Sequence, residues 1–224
     1  MQFYVNKMNY AFIDFQNTDN TTKQLLGFSV DWEKLCDFLK NNWSCEKVFL
    51  YIGVDNRDLH AGELVEELKN IGFVVRDKKL FSYKNRDKEI NVSCPKCGNK
   101  FIEKIDMGFN KKANCDVDLT VDAMDLVEKE NIFYIFTGDG DFEFLIKNVV
   151  SKGVKTYIVS SAKKIRFGGK RYFTSRLSKK LRMLAIENPG KVYIVEINNL
   201  KMKFKKDANF ASEKKEKATK RDLF

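Results

Sequence analysis

The sequence predicts an α/β fold, a parallel sheet with helices packed on it. Three observations carry that expectation. Short apolar runs alternate with longer stretches whose apolar residues recur every three or four positions, the rhythm of strand followed by helix. Hydrophobic residues make up 43% of the 224 positions, with nineteen Phe, enough to fill a core on both sides of a sheet. Two prolines and twelve glycines leave little room for long structureless stretches.

Taken in order, YAFIDF (residues 10–15) is an apolar run ending in an acid, which suits a buried strand. Asp31 can cap a helix in which Trp32, Leu35, Leu39 and Trp43 repeat at helical intervals. KVFLYI (47–52) is a second strand. A helix over 60–71 carries Leu64, Leu68 and Ile71 on one face and closes on Gly72, after which 73–75 begin a third strand. Residues 84–114 break the rhythm: they are polar and lysine-rich, contain CPKCG, and read as an insertion. Order resumes with a helix from Asp116 to about Glu130, a strand IFYIF (132–136), the turn Thr137-Gly138-Asp139-Gly140 and a helix over 141–151. A fifth strand at 154–159, a helix over 175–186 and a strand at 191–197 complete one domain over 1–200. Residues 201–224 form a lysine-rich tail, expected to lack fixed structure.

Asp14 and Asp139 both fall at the carboxyl end of an expected strand. Open parallel sheets bind ligands there, where the strand order reverses, so neighbouring first and fourth strands would aim both acids at one crevice. Carboxylates crowded together repel one another unless a cation sits among them. Hard oxygen donors of this kind select Mg²⁺ or Mn²⁺. Asp141 reads either as a further ligand or as the cap of the following helix. The chain's one histidine, His60, stands apart from these acids, so metal-activated water is the expected chemistry rather than histidine base catalysis.

Three segments resemble the motifs of the NYN domain, the LabA-like branch of the PIN-like ribonucleases. They are AFIDFQN (11–17), CDVDLTVDAM (115–124) and FTGDGDFEFLIKNVVSKGVKTYIV (136–159). Asp14 and Asn17 match the first motif, Asp116 and Asp122 the second, and Asp139, Asp141 and Phe142 the third. Cys115 replaces an aliphatic residue and Thr137 a serine. The resemblance implies a PIN-like, Rossmann-like three-layer α/β/α fold, divalent-metal dependence, activity on RNA, and a catalytic set of Asp14, Asp116, Asp122 and Asp139, with Asp141 a further metal ligand. It makes Asn17 and Thr137 candidates for contacting phosphate or orienting a ligand. On an ideal helix Asp118, not Asp116, shares a face with Asp122, which keeps Asp118 as a reserve ligand.

The formal charge of +10, from 41 basic and 31 acidic residues, favours polyanionic partners. Residues 163–182 concentrate it, with nine basic residues and no acidic one, interleaved with Phe167, Tyr172 and Phe173. Lys170, Arg171 and Arg176 are the expected RNA-backbone contacts there. Cys94 and Cys97 have the spacing of half a zinc ribbon, and a structural site needs four ligands. Three readings stay open: completion by Cys115 and another group, sharing across a homodimer, or no metal. MQFYVNKMNY lacks the apolar core of a signal peptide, and no apolar run approaches the roughly 18 residues of a membrane span. A soluble, cytoplasmic protein without a membrane partner is expected. The sequence therefore reads as a metal-dependent ribonuclease, an endonuclease by expectation. A noncatalytic RNA- or protein-binding regulatory module on the same fold is the alternative. A phosphatase on this sheet is disfavoured because Gln16, not an acid, stands two residues after Asp14.

Overall fold

The computed structural model describes residues 7–55, 58, 60–166 and 173–207. Asn9–Asp14 (β1), Cys45–Val54 (β2) and Val74–Lys79 (β3) alternate with helices, as expected. Phe15–Asn20 (α1) and a π-helical turn at Thr21–Leu25 follow β1 directly, and Trp32–Asn41 (α2) and Ala61–Ile71 (α3) complete the first half. Asp31 caps α2 by accepting the Lys34 N–H, and Gly72 ends α3 at φ +105°, a left-handed conformation that suits glycine. The second half brings Asp116–Asp125 (α4), then a strand at Ile132–Phe136, a 3₁₀ turn at Gly140–Phe142 and Glu143–Ser151 (α5). A strand at Lys155–Ser160, Lys179–Glu187 (α6), a strand at Val192–Glu196 and the short helix Lys201–Phe204 (α7) complete it.

The segment 84–114 is not irregular. It lies within two antiparallel ladders, Phe81–Lys84 (β4) with Phe109–Lys112 (β7) and Lys88–Ser93 (β5) with Lys100–Ile105 (β6). The second is nested inside the first, so the insertion is a two-stranded arm with CPKCG at its tip. Counting on, Ile132–Phe136 is β8, Lys155–Ser160 is β9, the two-residue pair Ile165–Arg166 and Phe173–Thr174 is β10 and β11, and Val192–Glu196 is β12.

The sheet order is β12-β9-β8-β1-β2-β3, every neighbouring pair parallel. β1, β2 and β3 step one way and β8, β9 and β12 the other, so the order reverses between β1 and β8. Because side chains alternate along a strand, Phe12, Phe49 and Phe133 face α4, α5 and α6, while Ala11, Ile13, Val48 and Leu50 face α2 and α3. The result is a three-layer α/β/α fold with two cores separated by one sheet.

Three boundaries differ from the sequence reading, each for a local reason. The first turns after β1 are helical although Asn, Thr and Asp are weak helix formers. Buried Thr22 offsets this by donating its hydroxyl to the carbonyls of Thr18 and Asp19, at 3.0 and 3.2 Å. α4 stops at Asp125, because Glu128–Asn131 turns back and the Asn131 side chain takes the Leu126 carbonyl. Within the expected tail, Phe204 is fully buried against Phe28 and Phe38, and Lys205 bridges to Val30. No helix among the described residues is long and apolar enough to cross a membrane.

Phe204→Ala should therefore cost about 3 kcal/mol, the usual range for removing a buried aromatic ring. Urea unfolding monitored by circular dichroism measures it. A chain whose fold ended before Lys201 would show no change.

Candidate active site

The reversal of strand order puts the carboxyl ends of β1 and β8 side by side, Ile13 opposite Phe136. Asp14 closes β1 and at once caps α1, its Oδ1 accepting the Asn17 N–H at 3.0 Å. Asn17 in turn accepts the Gly138 N–H through its side-chain oxygen at 3.0 Å, which ties the loop after β1 to the loop after β8. In that second loop buried Thr137 accepts the Asp139 N–H at 3.2 Å, and Asp139 Oδ1 accepts the Asp141 N–H at 3.0 Å. Asp139, not Asp141, is thus the cap of the 3₁₀ turn that leads into α5. Asn17 and Thr137 both have side-chain oxygens engaged in holding the two loops, a positioning job.

Asp14 carries the electrostatic cost of the arrangement. Burial raises its pKa to about 6, and the nearby carboxylates of Asp116 and Asp139 push the same way, against the amides of Asn17 and Gln16. Asp14 thus feels the charges of two of the other expected acids. The fourth is engaged elsewhere. Asp122 accepts a two-pronged contact from Arg76, Nε and Nη2 both at 2.9 Å, and a hydrogen bond from the Tyr51 hydroxyl at 3.0 Å. Burial opposes its ionisation, but these partners outweigh it and hold its carboxyl below the usual range. Asp118, the reserve ligand, pairs with Lys78 at 2.8 Å.

The donor set suits a hard divalent cation, since a half-buried carboxylate beside two others is a charge a cation would neutralise. Among the described residues no three acid, cysteine or histidine side chains form a ready-made cage. Mg²⁺ does not need one: it keeps several waters and is commonly held through one or two carboxylates. Asp14, Asp116 and Asp139 are the residues that could hold it. A groove of about 600 Å³ lies elsewhere, beside α3, lined by Val54, Asp55, Asp58, Glu66 and Asp77 among others. It includes none of the motif acids.

Cations flank the crevice where the sequence suggested and where it did not. A Cβ on Gly138 would collide with the backbone carbonyl of Arg176, and Ser178 N–H donates to the Gly138 carbonyl at 2.9 Å. The segment leading into α6 is thus pressed against the Asp139 loop, and only glycine permits the approach. Arg176 donates to the Gln24 side chain at 2.6 Å, bridging to the turn after α1. Ser178 and Lys180 lie within 3.2 Å of where a Cβ on Gly140 would be. Lys180 belongs to the basic segment 163–182, whereas Arg76 and Lys78 were not distinguishable in the sequence from other surface cations. Lys170 and Arg171 fall outside the described residues.

At the arm tip, Cys94 N–H donates to Asn99 O at 2.8 Å, Gly98 N–H donates to Cys94 O at 2.9 Å, and Gly98 has φ +71°. The backbone amides of Cys97 and Lys96, and the Cys97 thiol, hydrogen-bond Cys94 and hold its thiol below the usual range. Cys115 does not join them. It lies buried in the core at the start of α4, where burial lifts its thiol to about 11.

Fold and crevice together define a PIN-like, nuclease-type α/β domain with an acid cluster at its switch point. The NYN domain model matches residues 10–172, most of the chain, and the protein belongs to the NYN domain family. It is similar to the low amplitude and bright protein LabA of Synechococcus elongatus, 25% identical over 156 residues that cover 67% of this chain and 74% of LabA. In structure it is similar to a Vibrio parahaemolyticus protein of unknown function, with a TM-score of 0.57 at 14% identity, covering 92% of this chain and all of the other. That likeness supports the fold.

The raised pKa of Asp14 has a signed consequence for stability. A folded-state value of about 6 against an ordinary 3.8 means that the fold penalises the ionised form. The penalty is fully present above about pH 6 and is relieved as pH falls toward 4. In EDTA at pH 7.5, Asp14→Asn should therefore stabilise the protein by on the order of 1–3 kcal/mol, and the gain should vanish near pH 4. Thermal melts at the two pH values decide it. Equal melting points for both proteins at pH 7.5 would mean that Asp14 is not strained by its charge.

Proposed function

We propose that this protein is a divalent-metal-dependent ribonuclease, acting as an endonuclease, whose metal-holding residues are Asp14, Asp116 and Asp139. The observation that carries the reading is the strained charge of Asp14 at the β1–β8 switch point, with two more carboxylates beside it. A carboxylate whose ionised form is made costly by burial first, and by two neighbouring acids besides, is a site prepared for a cation. RNA as the substrate class follows from the family and from the basic residues beside the crevice.

When bound, Mg²⁺ or Mn²⁺ supplies Lewis acidity to a phosphate oxygen and lowers the pKa of a coordinated water toward neutrality. The chain's own work is positional. Asn17 locks the Asp14 loop to the Asp139 loop, so the two acids keep their separation. Thr137 fixes the backbone of Asp139. Arg76 and Tyr51 neutralise Asp122 and hold α4 against β2 and β3, which sets where Asp116 stands at the head of that helix. In this scheme Asp122 is a positioning residue, and Asp141, exposed next to Asp139, is the additional acid available to a cation. Arg176, Lys180 and the basic segment through Lys170 and Arg171 offset the acids' repulsion of a polyanion.

Labelled single-stranded and structured RNA incubated with the protein should be cut internally with Mn²⁺ and left intact with EDTA. Asp14→Asn and Asp139→Asn should each lower the rate at least a hundredfold, with the fold intact by circular dichroism. Binding without cleavage under all metal conditions would favour a noncatalytic RNA-binding module instead.

Replacing Lys170, Arg171 and Arg176 together with alanine should weaken RNA binding and flatten its salt dependence. Each lost phosphate contact should lower the slope of log affinity against log salt by roughly 0.7 for a single strand. An unchanged slope would assign these residues to ordinary solvated surface.

A further inference from the structure

The arm between β3 and α4 has no part in the acidic crevice, and its composition is unusual for a surface element. The registers of β5 and β6 put Ile90, Val92, Phe101 and Ile105 on one face, flanked by Lys88 and Glu103, with Asn91, Ser93, Ile102 and Lys104 on the other. Phe101 and Ile105, together with Phe81, Tyr83, Met107 and Phe109 nearer the base, are 40–63% exposed. A two-stranded ribbon is marginal in water on its own, and a row of uncovered aromatic and branched side chains makes it costlier still. Something has to hold the tip closed and cover that face.

The tip carries the means. Cys94 and Cys97 sit on one tight turn, closed by the Cys94 N–H to Asn99 O and the Gly98 N–H to Cys94 O, and their spacing is that of a zinc knuckle. A structural zinc site needs four ligands, with thiolate and imidazole the preferred donors. The whole chain has five cysteines and one histidine. Cys36 and Cys45 are buried in the core under α2, Cys115 is buried on the opposite face of the sheet, and His60 is engaged with Glu63 at the head of α3. The three other thiols cannot leave the two cores without unfolding them, so the arm itself presents two thiolates and no more.

We propose that Cys94 and Cys97 are half of a tetrathiolate zinc site that a second copy of this chain completes, joining two arms tip to tip into a zinc-bridged homodimer. The second copy is the occupant that answers both shortages at once. It brings the missing pair of thiolates, and its own apolar arm face lies next to the junction, available to cover Phe101 and Ile105. The proposal stands independently of the nuclease reading.

The test is zinc content and mass on the full chain, purified without chelator from zinc-supplemented cells, by elemental analysis and light scattering. One zinc per two chains in a dimer is expected, and EDTA should release both the metal and the partner. Cys94→Ser with Cys97→Ser should give zinc-free monomer that keeps the parent's far-ultraviolet circular dichroism. Co²⁺ in place of zinc should give the absorption of a tetrahedral tetrathiolate. Phe101→Glu, which leaves both cysteines in place, should weaken dimerisation at least tenfold. One zinc in each monomer, zinc-free protein, or a dimer that survives the double serine variant would each overturn the proposal.

Discussion

The energetic centre of this molecule is the charge on Asp14. A parallel sheet whose order reverses between β1 and β8 leaves a gap in its helical cover at that point. Asp14 lies in the gap, half-buried, with Asp116 and Asp139 near enough to oppose its ionisation. Backbone amides stabilise it in part, as they do for any helix-capping carboxylate, but they are outweighed. Much of the surrounding detail follows from keeping these acids in place despite their mutual repulsion. The Asn17–Gly138 hydrogen bond ties the two loops directly. Gly138 admits the Arg176 backbone, so the Asp139 loop is braced from the other side by the segment that enters α6.

Cations are distributed unequally among the acids of the first two motif segments. Asp122 has Arg76 in a two-pronged contact and Asp118 has Lys78, both from the edge strand β3. Asp14 is answered by amides. An acid already matched by arginine offers a divalent ion much less than one whose charge the fold leaves costly. Electrostatics therefore separates residues that the sequence pattern treats alike, assigning Asp122 to the packing of α4 and Asp14 to the crevice.

The fold was legible in the sequence because its signals are local. β1, β2 and β8 are apolar runs, α2 and α3 have caps and apolar stripes, and the adjacency of β1 and β8 follows once the sheet is taken as doubly wound. The site was legible in part for the same reason: Asp14 and Asp139 each end a strand. Arg76 and Tyr51 were not, since they meet Asp122 from 46 and 71 residues away and no periodicity marks them. The helical turns after β1 were hidden by their Thr and Asn content, which favours helix only once buried hydroxyls find carbonyls at i−4. The arm was hidden because its strands are lysine-rich and, with most of their side chains exposed, lack the apolar continuity of a core strand.

The place of the arm is itself constrained. An insertion between β8 and α5 would separate Asp139 from the turn it caps, and one between β1 and α1 would break the Asp14 cap. β3 is the edge of the sheet, and its carboxyl end has no neighbour beyond it. Chain inserted there lengthens the connection to α4 without entering the switch point, and the entropic cost grows only slowly with loop length. The price is paid at the start of α4, where Asn114 and Cys115 must return to register. Lys78 meets this by bonding the Asn114 carbonyl at 3.1 Å while pairing with Asp118, and Ala113 packs against Gly53, where a larger residue than glycine would not fit. With that joint anchored, Asp116 keeps its position at the head of α4 whatever the arm beyond it does. The fold can therefore take on a cysteine-bearing extension at one edge without disturbing the acids at the β1–β8 switch point.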